Sequence, residues 1–461
     1  MVNLSDDYMK RLFLHILYTC LAVILFAGCK PEVWPDIEYD GDLGKVEFED
    51  FSLPIPIMVA IDDPLYENIT RGIGALSNLE DKRAFDSLRV YAFYSPKGVM
   101  EVYDHTDYSV RMDSKDDENI YCLIDDADNA GIGHGKRARM NYDAPSILEW
   151  TDNDNVYYST NYPQARFRFF AYHVDDAADM GKAPRREADH VAYDVEIDGT
   201  QDLMCSYAQP TSEQLADFDN LTSPSNKDFV NNLERYAYST VSASRELIPV
   251  FTMKHQMAYL RLFLKAEKVL DELDPQIDKM RVENVIIRGV QYKGKFVVAA
   301  ENPSRLGVTY SDATKDFYLP VKVKTNDEGQ IITDATGKRI TVSSDEEGKV
   351  MAGDVVGLNP RLIPTEEEQE LGMGFLFPPA ERYSLLLKCK VLTGKIIPST
   401  GKEVEVEYNR SFELVFPDGS SFEAGHQYRV SVKVYGPRDV RLQMGNIEWK
   451  DGEDVDIDTE K

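Results

Sequence analysis

Cysteine is scarce in this chain, with five residues among 461. Cys20 and Cys29 lie within or directly after the apolar N-terminal segment, which leaves Cys122, Cys205 and Cys389 for the body of the protein. Three cysteines cannot all pair, and their spacing does not match that of a zinc site. We therefore expect no disulfide framework and interpret these three as core or strand thiols.

Basic residues are also under-represented, because 51 Lys and Arg stand against 80 Asp and Glu, for a formal net charge of -29. Nucleic acids and anionic membrane surfaces are negatively charged themselves and would be repelled. The composition thus predicts no nucleic-acid partner and favours a location outside the cell. With 43% apolar residues the chain can still bury a large core, divided over two or three domains.

The sequence signatures of enzymes and metal sites are missing. There is no G-x-S-x-G elbow and no H-E-x-x-H pair. The string GIGHGK at residues 131–136 lacks a full phosphate-binding pattern, since Arg137 stands where Ser or Thr is needed, and we interpret it as a flexible loop. The acidic run before it fails as a calcium loop, because Ala130 and Arg137 occupy ligand positions 5 and 12. We predict no enzyme, no catalytic residue, no metal and no cofactor.

Histidine is rare as well, with seven residues. His173 is followed by three aspartates, Asp175, Asp176 and Asp179, but a single histidine among acidic residues after a strand is usually solvent-facing. His255 lies within an apolar strand pattern and is predicted to be a hydrogen-bonded core residue.

Long apolar runs are confined to the N-terminus. From Met9 the sequence reads MKRLFLHILYTCLAVILFAGC, which is a short basic region, an apolar stretch and then small residues before Cys29. This order is typical of a bacterial lipoprotein signal, with residues 1–28 removed, the true start at Met9, and a lipid on Cys29. The lipid would then be the attachment to the membrane. An uncleaved N-terminal anchor is the alternative.

A strand pattern follows at FSLPIPIMVAI, residues 51–61. Side chains at every second position are apolar, which predicts a strand with one wholly apolar face. Pro54 and Pro56 are two residues apart, so both missing N–H groups lie on the same side, and a full ladder can form along one edge only. We therefore predict an edge strand. Its face consists of Phe51, Leu53, Ile55, Ile57, Val59 and Ile61.

Short strands with polar turns make up the remainder of the chain. Runs rich in aromatic and β-branched residues alternate with Asp/Asn/Gly-rich turns, which is typical of a β-sandwich. Between residues 212 and 240 the apolar residues are spaced as in a helix instead. We therefore predict minor helical connectors there and a domain boundary near residue 245. The polar stretch that contains Arg71 has no strand pattern and is predicted to be an accessible connector.

Five segments, taken in order, resemble the fimbrillin family, the subunits of type V pili of Bacteroidales. They are LRVYAFY shortly after an arginine, the aromatic strand RFFAYHV, the segment QDLMCSYA, the strand TMKHQMAYLRLFL, and the ending AGHQYRVSVKVY followed by IEW. Together they span most of the chain that follows the signal.

The resemblance implies an all-β fold with two transthyretin-like β-sandwich domains in tandem, at residues 72–245 and 246–461. It also implies that a lipidated segment, residues 29–71, is cut between Arg71 and Gly72, so that its strand is released. A strand of the next subunit then fills the vacated groove. Burial of six apolar side chains, on the order of 10 kcal/mol as an upper estimate, would favour that exchange.

The implied location is the surface of the outer membrane, within a fimbrium. The implied partners are other pilus subunits through strand exchange, the outer membrane through the lipid on Cys29, and host or bacterial surface receptors. The sequence leaves the role of anchor, shaft or tip open. It also leaves open that residues 51–61 form an ordinary edge strand that is never removed.

Two other functions compete with this one. A glycan-binding outer-membrane lipoprotein could stack sugars on exposed aromatic residues such as Tyr157 and Tyr158. A secreted hydrolase could use carboxylates among the 80 acidic residues.

Overall fold

A computed structural model describes the protein over most of the chain after residue 54. The described residues are 55–61, 88–94, 121–124, 134–140, 147–150, 156–158, 167–174, 184–187, 189–210, 214, 238–243, 247–269, 272–326, 330–335, 339–342, 348–353, 362–416, 418–448 and 455–457.

Strands account for most of the described residues and for almost all of their regular secondary structure, which confirms the predicted all-β class. Helical structure among them is short: α1 (Thr240–Ala243) and the 3-10 turns Ile277–Lys279 and Pro303–Arg305. None of the described helices is long and apolar enough to cross a membrane. The strands are β1 (Val59–Ile61), β2 (Leu88–Tyr94), β3 (Tyr121–Ile124), β4 (Lys136–Met140), β5 (Ile147–Trp150), β6 (Phe167–Val174), β7 (Arg185–Arg186), β8 (His190–Glu196), β9 (Leu203–Tyr207), β10 (Val250–Phe251), β11 (Lys254–His255), β12 (Ala258–Ala266), β13 (Met280–Gln291), β14 (Lys293–Ala300), β15 (Gly307–Tyr310), β16 (Thr314–Tyr318), β17 (Val321–Val323), β18 (Thr341–Val342), β19 (Lys349–Met351), β20 (Gln369–Glu370), β21 (Phe375–Phe377), β22 (Tyr383–Ile396), β23 (Glu403–Leu414), β24 (His426–Gly436), β25 (Asp439–Glu448) and β26 (Val455–Ile457).

The largest sheet has nine strands, in the order β10-β1-β5-β4-β2-β6-β9-β11, with β3 paired to β2. Its middle strands are buried on both faces. In β2, Leu88, Val90 and Ala92 belong to one apolar cluster, whereas Tyr91 and Phe93 belong to another on the opposite face. Burial on both faces explains why β2 and β6 are continuous apolar runs in the sequence.

A four-stranded sheet, β15-β14-β8-β7, contributes to the cluster that contains Tyr91. Its pairing joins distant parts of the chain, because β8 lies before residue 245 and β14 after it. The short strands β10 and β11 also follow residue 245 and pair with β1 and β9. Among the described residues, three strand pairs therefore cross the predicted boundary.

The second half of the chain forms a sandwich of a six-stranded sheet (β20-β12-β24-β25-β26, with β21 on β12) and a four-stranded sheet (β16-β13-β22-β23). Its core draws on both sheets. In β12 and β24 one side chain in two belongs to that core. Three further strands, β17 to β19, form a small separate sheet.

Candidate functional site

The predicted removable strand is seen from residue 55 to residue 61, and its apolar face points into the core. Ile57, Val59 and Ile61 are only 2%, 0% and 2% exposed, and Ile55 is half-buried against the same cluster. Between them the side chain of Met58 is 41% exposed. The alternation is therefore confirmed at these four positions. The other members of the predicted site, Phe51, Leu53, Cys29, Arg71 and Gly72, lie outside the described residues.

Proline limits the pairing of this strand as predicted over residues 55–57. Ile57 N–H donates to the carbonyl of Val156 at 2.7 Å, and Tyr158 N–H donates to the carbonyl of Ile55 at 2.9 Å. These bonds lie on one side of the strand, around the bridge between Pro56 and Tyr157. Pro56 has no N–H to offer on the opposite side.

The predicted edge position is wrong at the C-terminal end of the strand. There β1 lies between two partners, antiparallel β5 on one side and parallel β10 on the other. The N–H of Ala60 donates to the carbonyl of Pro249 at 2.8 Å, which begins the second ladder. Pro56 removes only its own N–H, and pairing on this side is seen from Ala60, four residues later. β10 is the terminal strand of this sheet among the described residues, so β1 is one strand in from the edge.

Trp150 is a residue of this site that the sequence analysis missed. Its indole Nε1–H donates to the carbonyl of Ile57 at 3.1 Å, and its side chain is almost fully buried. Ile57 is where the partners of the strand change from β5 to residues 156–158. The indole thus holds the backbone of the strand at this junction. The tryptophan in the short apolar run ILEW, which the sequence analysis did not single out, is the signal that could have pointed to it.

Aromatic side chains fill the core beneath the strand. Tyr158 packs edge-to-face on Phe167 at 5.2 Å between ring centroids, and Phe169 packs edge-to-face on Tyr238 at 5.7 Å. Burial, and then the nearby Tyr238, raise the pKa of Tyr158. Tyr158 is only 3% exposed and is unsuited to stacking on a sugar, whereas Tyr157 is 42% exposed. The glycan-binding expectation therefore loses one of its two aromatic residues.

Two histidines expected in different surroundings lie close together. His173 was predicted to face solvent, but β6 places it in the interior at 8% exposure. His255 is hydrogen-bonded as predicted, with its Nδ1 2.6 Å from Oδ2 of the buried Asp202. Burial lowers the pKa of His173, while the carboxylate of Asp202 opposes that shift. Among the described residues no group of three or more His, Cys, Asp or Glu side chains could hold a metal ion.

The end of the GIGHGK string is ordered by packing. The ring of His134 stacks on Tyr193 at 5.8 Å between centroids, with its Nδ1 2.9 Å from the Tyr193 hydroxyl. Gly135 adopts φ +81° and directly precedes β4, and an added Cβ would lie 3.0 Å from the carbonyl oxygen of Val90. The predicted flexible loop is thus wrong for residues 134–136, while residues 131–133 lie outside the described part.

The thiols that the structure describes are inert. Cys205 and Cys389 are free and buried, and burial raises the pKa of each to about 12. A thiol with such a pKa is almost entirely protonated at neutral pH and is a poor nucleophile and metal ligand. Both agree with the prediction of core thiols, whereas the side chain of Cys122, in β3, lies outside the described part.

No known protein family matches this chain as a profile, and no curated protein matches it either. Solved structures do. A candidate cell adhesion protein from Bacteroides uniformis is 12% identical with a TM-score of 0.37, over 87% of this chain and 100% of that chain. A fimbrial assembly protein from Parabacteroides distasonis is 10% identical with a TM-score of 0.33, over 88% of this chain and 99% of that chain. Likeness at this level carries no functional argument.

Proposed function

We propose that this chain is a structural and adhesive subunit of a type V pilus on the cell surface. In this proposal proteolysis removes the N-terminal strand, and a strand of another subunit takes its place. The observation that carries the proposal is the burial of Ile57, Val59 and Ile61 at 0–2% exposure in the core. Within the part of the chain that the structure describes, residues 55–61 thus complete a core whose other members come from residue 88 onward.

The energetics favour replacement once the strand is gone. Full burial of three β-branched side chains contributes about 5–9 kcal/mol as an upper estimate. Without them the core cluster would open to water along β5 and β10, and an exposed apolar groove of this kind favours association. The groove is bordered by Leu148 and Phe251, which belong to the same cluster.

The parallel partner β10 opposes release of the N-terminal strand only slightly. β10 pairs with Ala60 and Ile61 alone, so withdrawal of the strand breaks a two-residue ladder on that side. The antiparallel side carries more of the pairing, through β5 and residues 156–158. A strand that enters from another subunit would restore both sides.

The remaining parts of the proposal concern the termini and the location. A lipid on Cys29 attaches the precursor to the outer membrane, and cleavage between Arg71 and Gly72 frees residues 29–71. The two predicted domains, 72–245 and 246–461, then form the body of the subunit at the cell surface. The lipoprotein signal and the fimbrillin-like segments support these parts.

The test is mass spectrometry of the protein extracted from its native envelope, with and without mild trypsin treatment. We expect a chain that begins at Gly72 and runs as heat-sensitive ladders on a denaturing gel. A chain that keeps its lipid and residues 29–71 in every assembled form would contradict the proposal.

A further inference from the structure

Residues 55–61 lie in a slot formed by β5 and residues 156–158 on one side and by residues 249–251 on the other. The first side pairs with them antiparallel, and β10 on the second side pairs with them parallel. We propose that this slot accepts an entering strand in one direction only, and that Trp150 is the positioning residue that fixes its register. The inference rests on the proposed function, because it specifies the partner that takes the place of β1. That partner is an extended segment of another subunit with the side-chain pattern of β1.

In addition to the ladder with β5, four groups of the slot bind main-chain atoms of the strand. The carbonyl of Val156 accepts from the N–H of Ile57, and the indole of Trp150 donates to the carbonyl of the same residue. The N–H of Tyr158 donates to the carbonyl of Ile55, and the carbonyl of Pro249 accepts from Ala60. None of these bonds depends on a side chain of the occupant. They therefore specify where its donors and acceptors lie, and not which residues it has.

The direction follows from the mixed pairing. The strand is antiparallel to β5, with Val59 opposite Leu148, and parallel to β10, with Ala60 opposite Val250. Parallel and antiparallel ladders space their hydrogen bonds differently. A reversed strand would be parallel to β5 and antiparallel to β10, so its donors and acceptors would no longer match the four groups of the slot.

The side-chain requirement is the pattern of burial. Positions 57, 59 and 61 need apolar side chains, because the present ones are at most 2% exposed. Position 60 needs a small residue, since Ala60 is also buried, at 9% exposure. Position 58 tolerates any side chain, and position 56 tolerates proline, because the backbone of residues 55–57 is paired on the other side. The slot thus takes a class of segments and not a single sequence.

The experiment uses the full chain with a specific protease site placed after Arg71. After cleavage, the chain is incubated with a peptide of residues 51–61 that carries a photo-crosslinking residue at the position of Ile55 or of Ile61. We expect the first probe to attach to residues 156–158 and the second to β5 or β10. A peptide with Val59→Asp serves as the control and should not enter.

The outcomes separate this inference from the proposed function. If the peptide enters and both probes attach equally to both ends of the slot, the one-direction inference is overturned while strand replacement stands. If no peptide enters the cut chain and its own β1 cannot be displaced, strand replacement fails and the inference falls with it. Attachment of each probe to its expected end supports both.

The positioning role of Trp150 is tested by the rate at which the cut segment leaves. Trp150→Phe keeps an aromatic ring but removes the N–H that donates to Ile57, and we expect release to be roughly three- to tenfold faster. Met58→Leu changes an exposed side chain on the same strand and should leave the rate unchanged. In the Trp150→Phe chain the crosslinks of the Ile55 probe should also spread beyond residues 156–158. Unchanged release together with unchanged crosslinks would refute the role.

Discussion

Replacement of Val59 by alanine tests whether β1 is held by its buried face. Val59 is 0% exposed, lies opposite Leu148 on β5 and belongs to the same apolar cluster as Phe167 and Phe169. The substitution removes two methyl groups and leaves a cavity that the neighbouring rings fill only in part. Transfer and cavity contributions together predict a loss of about 1.5–3 kcal/mol in the stability of this core. Met58→Ala on the exposed face should change it by less than about 0.5 kcal/mol.

The assay must report on this core alone, because a chain of 461 residues is not expected to unfold in one step. Trp150 is a member of the cluster, and the other two tryptophans of the chain are Trp34 and Trp449. In a background with both of those replaced by phenylalanine, urea unfolding followed by tryptophan fluorescence reads the surroundings of Trp150. The difference between the urea midpoints of Val59→Ala and Met58→Ala, multiplied by the slope of the urea dependence, then gives the contribution of the buried face to the free energy of unfolding.

Equal midpoints for the two variants would refute the reasoning. The strand would then be held by its backbone pairing, and the apolar pattern from which its role is argued would be incidental. A loss confined to Val59→Ala would support a slot that needs an apolar occupant.

Three further predictions concern other parts of the fold. Gly135→Ala should cost at least 1 kcal/mol more, as an order of magnitude, than Gly289→Ala in urea unfolding, because both have positive φ but only the first Cβ meets backbone. His173 has a lowered pKa, so the unfolded chain takes up its proton first, and stability should fall as the pH drops below the ordinary value of 6.5. His173→Gln should flatten that part of a pH-stability curve. Cys205 and Cys389 should resist iodoacetamide at pH 8 until the chain is unfolded, as peptide mapping would show.

Much of the fold follows from local patterns in the sequence, either continuous apolar runs or alternation. LRVYAFY, RFFAYHV and HQYRVSVKVY lie in β2, β6 and β24. In β24 the alternating apolar positions 428, 430, 432 and 434 are buried, and so is Ser431 on the opposite face, at 8% exposure. The apolar face of β1 was predictable for the same reason. Burial with period two is a local property of the chain and needs no knowledge of its neighbours.

The partners of each strand were not predictable in this way. Nothing in the spacing around Pro249 indicates that Val250 and Phe251 will lie beside Ala60, some 190 residues earlier in the chain. The indole bond of Trp150 depends on the same long-range meeting. His173 was misplaced because its polar neighbours in sequence, Asp175 and Asp176, outweighed the apolar run that precedes it.

The most direct measurement locks the strand in place. Ala60 and Ile147 lie opposite each other on β1 and β5, so the double variant Ala60→Cys with Ile147→Cys can be joined by a disulfide across the pair. After protease treatment we expect the oxidised chain to stay monomeric, and the reduced chain to form the same heat-sensitive ladders as the unmodified protein, with Ala60→Cys alone as control. If the oxidised chain polymerises as well as the reduced one, β1 need not leave its slot and strand replacement is wrong.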